Sequence, residues 1–219
     1  MINNKKINKY DINKRVKKIL EFCRNKKVLN IGCADNYYLH AKISEIAKDL
    51  VGIDINRGSL NSLKEDGYKV FEMDAENIQI DETFDIIVMG EVIEHVNNVG
   101  NVLNSVSKLM NKDSVLILTT PNIACLLLYF NVVILGKDQA PDHVYYFDIK
   151  TIDRLIERYN LRINEKIYIP PEIKMLGNNI LSKIVYFIAT VIENIIYLFS
   201  KRLGGSILFL TIRKNYHGK

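Results

Sequence analysis

The residues best suited to chemistry stand together in Gly90-Glu91-Val92-Ile93-Glu94-His95, directly after the apolar run Ile86-Ile87-Val88-Met89. Glu91 and Glu94 are spaced i, i+3, and Glu91 and His95 i, i+4, so on a helical turn they share one face. Asp142-His143, in a later loop, brings a second imidazole able to converge on the same mouth. An imidazole near its ordinary pKa can accept and return a proton at neutral pH, which suits general-base work on a hydroxyl. Carboxylates and imidazoles in this number could equally hold a divalent cation with open positions, or simply hydrogen-bond one another. Spacing leaves these three readings open, and Glu94, His95 and His143 are the catalytic candidates.

Such groups need a frame, and the chain from Val28 to Asp54 describes one. Val28, Leu29 and Ile31 make a short buried strand, Gly32 permits a sharp turn, and Ala41, Ile43, Ile46, Ala47 and Leu50 recur at helical spacing before Val51-Gly52-Ile53 starts a second strand. In a βαβ unit of this kind backbone N–H groups of the first turn face a ligand, and a carboxylate about 20 residues on can bind two ribose hydroxyls. Asp54 stands at that place. The turn Gly32-Cys33-Ala34-Asp35-Asn36 keeps only its first glycine and carries an acid, so it suits a ligand with a sulfonium and an amino-acid end better than a pyrophosphate.

The winding continues with a helix over 59–65, a strand over 68–73 closing on Asp74-Ala75, the strand before Gly90, a helix over 99–110 and a strand over 114–120. All these strands end on one edge, where ligands sit in open α/β sheets. An apolar helix over 123–135, a helix over 149–159, a strand over 162–169, an apolar helix over 180–199 and a last strand over 206–213 complete the expectation.

With 219 residues and 48% hydrophobic composition, one α/β domain over 1–219 is the simplest count, with a polar tail and helix over 1–25 and an apolar helical insertion over 171–205. Ile12, Val16, Ile19, Leu20 and Cys23 give the Lys-rich first helix one apolar face, expected to cover the sheet edge. The net charge of +5 is modest and the lysines lack interleaved aromatics, which disfavours nucleic acid. A polar N-terminus without a secretory signal, and Cys23, Cys33 and Cys125 without ligand spacing, point to a reducing cytoplasm and buried thiols. Phe147 is expected to pack, while Tyr145 and Tyr146 either pack or line an acceptor pocket.

The helix over 180–199 carries a polar stripe of Lys183, Thr190, Glu193, Asn194 and Tyr197, so spanning a bilayer is disfavoured. An amphipathic helix there could cap the site, make a homodimer, or lie at a membrane surface with Lys174, Lys183, Lys201 and Arg202 near phosphates.

The stretches VLNIGCADN, LVGIDI, MDAENI, FDIIVMGEVIEHV, VLILTTPN, IKTIDRLIERY, RINEKIYI and SILFLTIRK together resemble the class I S-adenosylmethionine-dependent methyltransferases over about residues 26–214. The resemblance implies a Rossmann-like, doubly wound seven-stranded sheet, mostly parallel with an antiparallel last strand, and S-adenosyl-L-methionine as cofactor. It further implies that Asn30, Gly32, Cys33 and Ala34 line the methionine part, Asp54 and Ile55 the ribose, Asp74 and Ala75 the adenine, and Gly90 and Glu91 the sulfonium. The E-x-x-E-H pattern with a later D-H resembles ubiquinone-pathway O-methyltransferases and small-RNA 2′-O-methyltransferases, where those positions bind Mg²⁺ or a similar ion. GC-x-D followed by Leu39-His40, with Asn98-x-Gly100-Asn101 and Asp142-His143, looks most like methyltransferases encoded beside glycan-assembly genes. The implied activity is O-methylation of a sugar, glycan or other small acceptor. Metal-assisted ribose methylation of RNA and a catalytically silent binding protein are the alternatives.

Overall fold

The computed structural model describes residues 14–136, 140–171 and 179–216; the expectations for Ile12, Lys174 and the polar leader lie outside them. The chain runs α1 (Lys14–Cys23), β1 (Lys27–Ile31), α2 (Tyr37–Ser44), β2 (Asp49–Asp54), α3 (Arg57–Glu65), β3 (Val70–Glu72), β4 (Phe84–Gly90), α4 (Val99–Lys108) and β5 (Met110–Pro121). It continues with α5 (Leu126–Tyr129), α6 (Ile149–Glu157), β6 (Leu161–Ile169), α7 (Ile180–Phe199), α8 (Lys201–Gly204) and β7 (Ile207–Lys214).

The strands form one seven-stranded sheet in the order β3-β2-β1-β4-β5-β7-β6. β1 to β5 pair in parallel, and only β7 runs against its neighbours, inserted between β5 and β6. Strand alternation divides the core in two. Val28, Ile86, Val88, Val115 and Ile117 meet Val16, Ile19 and Cys23 of α1 and Leu39 and Ile43 of α2. On the opposite face Leu29, Ile31, Ile87, Met89, Leu116 and Leu118 meet α4 and α6 through Val102, Leu103, Val106, Ile152 and Ile156. Thus α1 covers a face of the sheet and not its edge, because its inward residues form a narrow stripe that only a broad apolar surface can bury. All three cysteines are buried and free, as their spacing implied.

The expected continuous helix over 123–135 is broken. A single α-turn, α5, passes into a wider turn over Phe130–Ile134, closed by Leu135 N–H donating to the Phe130 carbonyl at 3.0 Å. No residue from Leu126 to Leu135 is buried, so nothing packs the segment into a regular helix, and the β-branched run Val132-Val133-Ile134 disfavours one.

Candidate active site

The site forms where β1 and β4 end. Gly32 adopts φ +74°, and a Cβ built there would stand 2.5 Å from Val92 Cγ2, so only glycine lets the first turn press against the segment after β4. Gly90 closes β4, and Glu91 next to it takes φ 57°, a left-handed conformation uncommon for a side chain with a Cβ. Residues 91–98 are consequently an irregular turn, not the helical turn whose single face the spacing suggested. That backbone sends the acidic and imidazole groups in different directions.

Glu91 accepts from Thr119 Oγ1 at 2.9 Å and lies 3.8 Å from Arg15 Nη1, which itself donates to Thr119 at 3.3 Å. Glu94 turns inward to 1% exposure, with Oε2 accepting from Thr120 Oγ1 at 3.1 Å and Oε1 without a partner among the described residues. Burial, reinforced by the Glu91 charge, pushes the Glu94 carboxyl up to about 8, so it carries a proton at neutral pH. His95 Nδ1 donates to the Asp142 carbonyl at 3.3 Å and lies 3.1 Å from Asp142 Oδ2, which leaves Nε2 as the acceptor. His143 sets its ring edge-on to His95, centroids 4.7 Å apart, and its Nδ1 is buried without a partner among the described residues. Burial, aided by His95, holds the His143 imidazole below its usual range. One ligand atom from each of Glu94, His95 and His143 lies within 4.8 Å of the others. The chain's three catalytic candidates therefore do converge.

Beside them a cavity of about 270 Å³ is lined by Arg15, Gly32, Asp35, Asn36, Gly90, Glu91, Val92 and His95. Other expected donor residues are placed differently. Asn30 is buried at 2% exposure and donates its amide to His40 Nδ1 at 3.1 Å, underneath the turn and away from the cavity, because a polar group on a buried strand must find a partner inside. The Gly32 and Cys33 amides donate to the Ile53 carbonyl, and the Ala34 amide to Asp54 Oδ2 at 2.8 Å, so these N–H groups hold the turn onto β2 instead of facing a ligand. Cys33 and Ala34 point into a small cluster with Leu60, Leu63 and Val70. Asp54, exposed Ile55, exposed Asp74 and buried Ala75 stand at the ends of β2 and β3, along the same edge but outside the cavity wall. Phe147 packs as expected, Tyr145 hydrogen-bonds the Asn97 carbonyl at 2.8 Å, and Tyr146 lies against His143.

Arg15 is the site residue that motif spacing did not reveal. The signal was its being the one arginine in the helix KRVKKILEFC, since a planar guanidinium suits a carboxylate where lysine does not.

The protein-family model described as a methyltransferase domain matches residues 5–166. The chain belongs to that methyltransferase-domain family. Its architecture is that of the class I S-adenosylmethionine-dependent methyltransferases, in line with the resemblance in its motifs. A SAM-dependent methyltransferase from Archaeoglobus fulgidus superposes with a TM-score of 0.65 at 21% identity, covering 91% of each chain. The Burkholderia thailandensis 1,6-didemethyltoxoflavin-N1-methyltransferase, solved with S-adenosylhomocysteine, superposes with a TM-score of 0.60 at 14% identity, over 92% of this chain and 77% of that one. The ubiquinone biosynthesis O-methyltransferase of Pelagibacter ubique (strain HTCC1062) is 31% identical over 108 residues, 45% of this chain. That match spans 43% of the relative's length, less than half of it.

The residues of this methyltransferase fit the family's donor. The cavity sets cationic Arg15 beside anionic Asp35 and Glu91, the complement of a ligand that joins a carboxylate to an ammonium and a sulfonium. Gly90, where a Cβ would stand 3.2 Å from Arg15 Nη1, leaves that guanidinium room in the cavity wall.

Proposed function

We propose that the protein is an S-adenosylmethionine-dependent O-methyltransferase acting on a hydroxyl of a small acceptor, a sugar or glycan hydroxyl being the class its sequence favours. Bound S-adenosyl-L-methionine supplies an electrophilic methyl group. Arg15, Asp35 and Glu91 hold its amino-acid end, and Asp54 its ribose. His95 accepts the acceptor's proton at Nε2, with Asp142 fixing the tautomer and stabilising the imidazolium that results. Protonated Glu94 and neutral His143 keep the pocket behind His95 free of a competing negative charge.

The observation that carries this reading is the His95–Asp142 pair at 3.1 Å, with His95 in the wall of the donor cavity. The test is methyl transfer from labelled donor to a panel of hydroxyl acceptors: His95→Ala lowers kcat by about 10² to 10⁴ while donor affinity holds, since removal of a general base costs about that much. Full activity of His95→Ala on a genuine acceptor refutes the assignment.

A second reading is favoured by one observation, the two unpartnered buried atoms Glu94 Oε1 and His143 Nδ1. Together with His95 they fit a divalent cation, which would act as a Lewis acid on the acceptor hydroxyl. Chelator treatment separates the two: loss of activity restored by Mg²⁺ or Mn²⁺ supports the ion, and indifference to EDTA supports the metal-free base. The modest net charge of +5 and the scarcity of aromatics among the N-terminal lysines support a small acceptor over RNA, and the free thiols support a cytoplasmic setting.

A further inference from the structure

The apolar surface of α7 is turned outward and its polar stripe inward, the reverse of an ordinary surface helix. Leu198 is 82% and Phe199 89% exposed, and Ile180, Leu181, Val185, Ile188, Ile192 and Ile195 are exposed along the same helix. Meanwhile Glu193 is 6% exposed and accepts from Cys125 Sγ at 2.9 Å; Asn194 donates to the Pro171 carbonyl at 3.2 Å; and the Tyr197 hydroxyl donates to the Tyr168 carbonyl at 2.9 Å. Glu193, Asn194 and Tyr197 thus strap the helix to the domain, and mainly apolar side chains are left to meet the surroundings. Exposed Leu126, Tyr129, Phe130, Val133, Ile134 and Leu135 of α5 and the turn after it extend this surface. A continuous apolar face of this extent on a soluble domain marks an interaction site.

Its charge names the occupant. Between 121 and 136 there is no charged residue, and between 179 and 205 there are Lys183, Glu193, Lys201 and Arg202. The single acid is the buried one, whereas Lys201 and Arg202 are exposed and Lys183 is half-buried. Among the described residues of α5, the turn after it, α7 and α8 the outward charge is cationic, and the half-exposed Asp148 before α6 lies in electrostatic reach of Arg202. A second copy docking face to face would set Lys183, Lys201 and Arg202 of one copy against those of the other, with Asp148, near Arg202, the one acid among the described residues placed to answer them. Anionic headgroups with acyl chains behind them complement both features.

We propose that α7, α5 and the turn following α5 dock the protein on a lipid bilayer bearing anionic headgroups, with α7 lying in the interface and not spanning it. Spanning would tear Glu193, Asn194 and Tyr197 from their partners and place them in hydrocarbon. The inference does not depend on the proposed reaction.

Vesicle flotation of the full chain tests it, with phosphatidylcholine alone against a phosphatidylcholine–phosphatidylglycerol mixture. The protein floats with the anionic vesicles and far less with the neutral ones, and added salt weakens the binding. Lys201→Gln and Arg202→Gln each reduce partitioning roughly fivefold, the worth of one cation at an anionic surface. Leu198→Glu combined with Phe199→Glu abolishes flotation, while the melting temperature and S-adenosylhomocysteine affinity stay at wild-type values. Failure to float on anionic vesicles overturns the proposal, as does flotation unaffected by the paired Glu substitutions. A dimer seen by light scattering that those substitutions split, without flotation, assigns the face to a second copy and also overturns it. Retention in membranes through a carbonate wash shows a spanning helix and rejects the interfacial placement.

Discussion

His40 supplies a quantitative test of how the donor turn is held. It sits on α2 with 0% exposure, against Gly52, where a Cβ would come within 2.7 Å of its ring. Asn30 donates to Nδ1, so the neutral ring carries its proton on Nε2, which has no hydrogen-bond partner among the described residues. Burial lowers its pKa from 6.5 to about 4. Below 6.5 the unfolded chain takes up a proton that the folded chain refuses until about 4. The unfolded state then binds more protons, so the contribution to stability is complete above that window and is lost as pH falls through it. At about 1.4 kcal/mol per pH unit, the loss is about 3 kcal/mol. His40→Gln keeps an acceptor for Asn30 but cannot titrate. Urea unfolding of both proteins at about pH 7 and about pH 4 isolates the effect, because every other acidic group cancels in the difference. Wild type loses about 3 kcal/mol more than His40→Gln on acidification, and donor affinity declines in parallel, since Asn36 at the head of α2 lines the cavity. Equal acid losses in the two proteins refute the argument.

Other substitutions probe the site itself. Asp54→Ala removes an acceptor from the Ala34 and Asn56 amides, each at 2.8 Å, and weakens donor binding by roughly 1.5–3 kcal/mol in calorimetry; unchanged affinity would place the ribose elsewhere. Gly32→Ala combines a strained φ with the Val92 clash and reduces both melting temperature and donor affinity, and a crystal structure with Val92 unmoved would contradict this. Asp142→Asn keeps the carbonyl that His95 Nδ1 donates to but removes the carboxylate charge 3.1 Å from that nitrogen, so the imidazolium loses its counter-charge and kcat falls at least about tenfold with donor affinity intact; an unaltered kcat removes the Asp142 carboxylate from the mechanism. Arg15→Met costs donor affinity measured with S-adenosylhomocysteine, whereas Lys18→Met, on a half-exposed position of the same helix, does not.

The sheet was legible because β1, β2, β4 and β5 contain apolar runs that end at Gly32, Asp54, Gly90 and Pro121, and burial on both faces demands such runs, whereas edge strand β3 keeps only Val70 buried. Glu94, His95 and His143 were legible as chemistry, but their geometry was not. A left-handed Glu91 cannot be inferred from a helix-compatible spacing; it follows from the exit of β4 between Thr119 and the Gly32 turn. Asn30 misled for a related reason, since its partner His40 shows its burial only once α2 is laid on the sheet. On α7 the stripe itself could be read, while its direction depends on Cys125, Tyr168 and Pro171, all distant in sequence.

Thr119 and Thr120, neighbours near the end of β5, hold Glu91 and Glu94 respectively. Successive strand residues project to opposite faces, so two acids that lie close in sequence are routed into separate chambers by the pleat alone. Their partners differ, Glu91 having Arg15 and the cavity and Glu94 the histidines, yet the two still feel one another, since the Glu91 charge helps keep the proton on Glu94. The division lets packing around Thr120 on one face be altered without touching the hydrogen bond from Thr119 to Glu91 on the other. Inserting a single residue into this strand end would exchange the chambers and undo both at once.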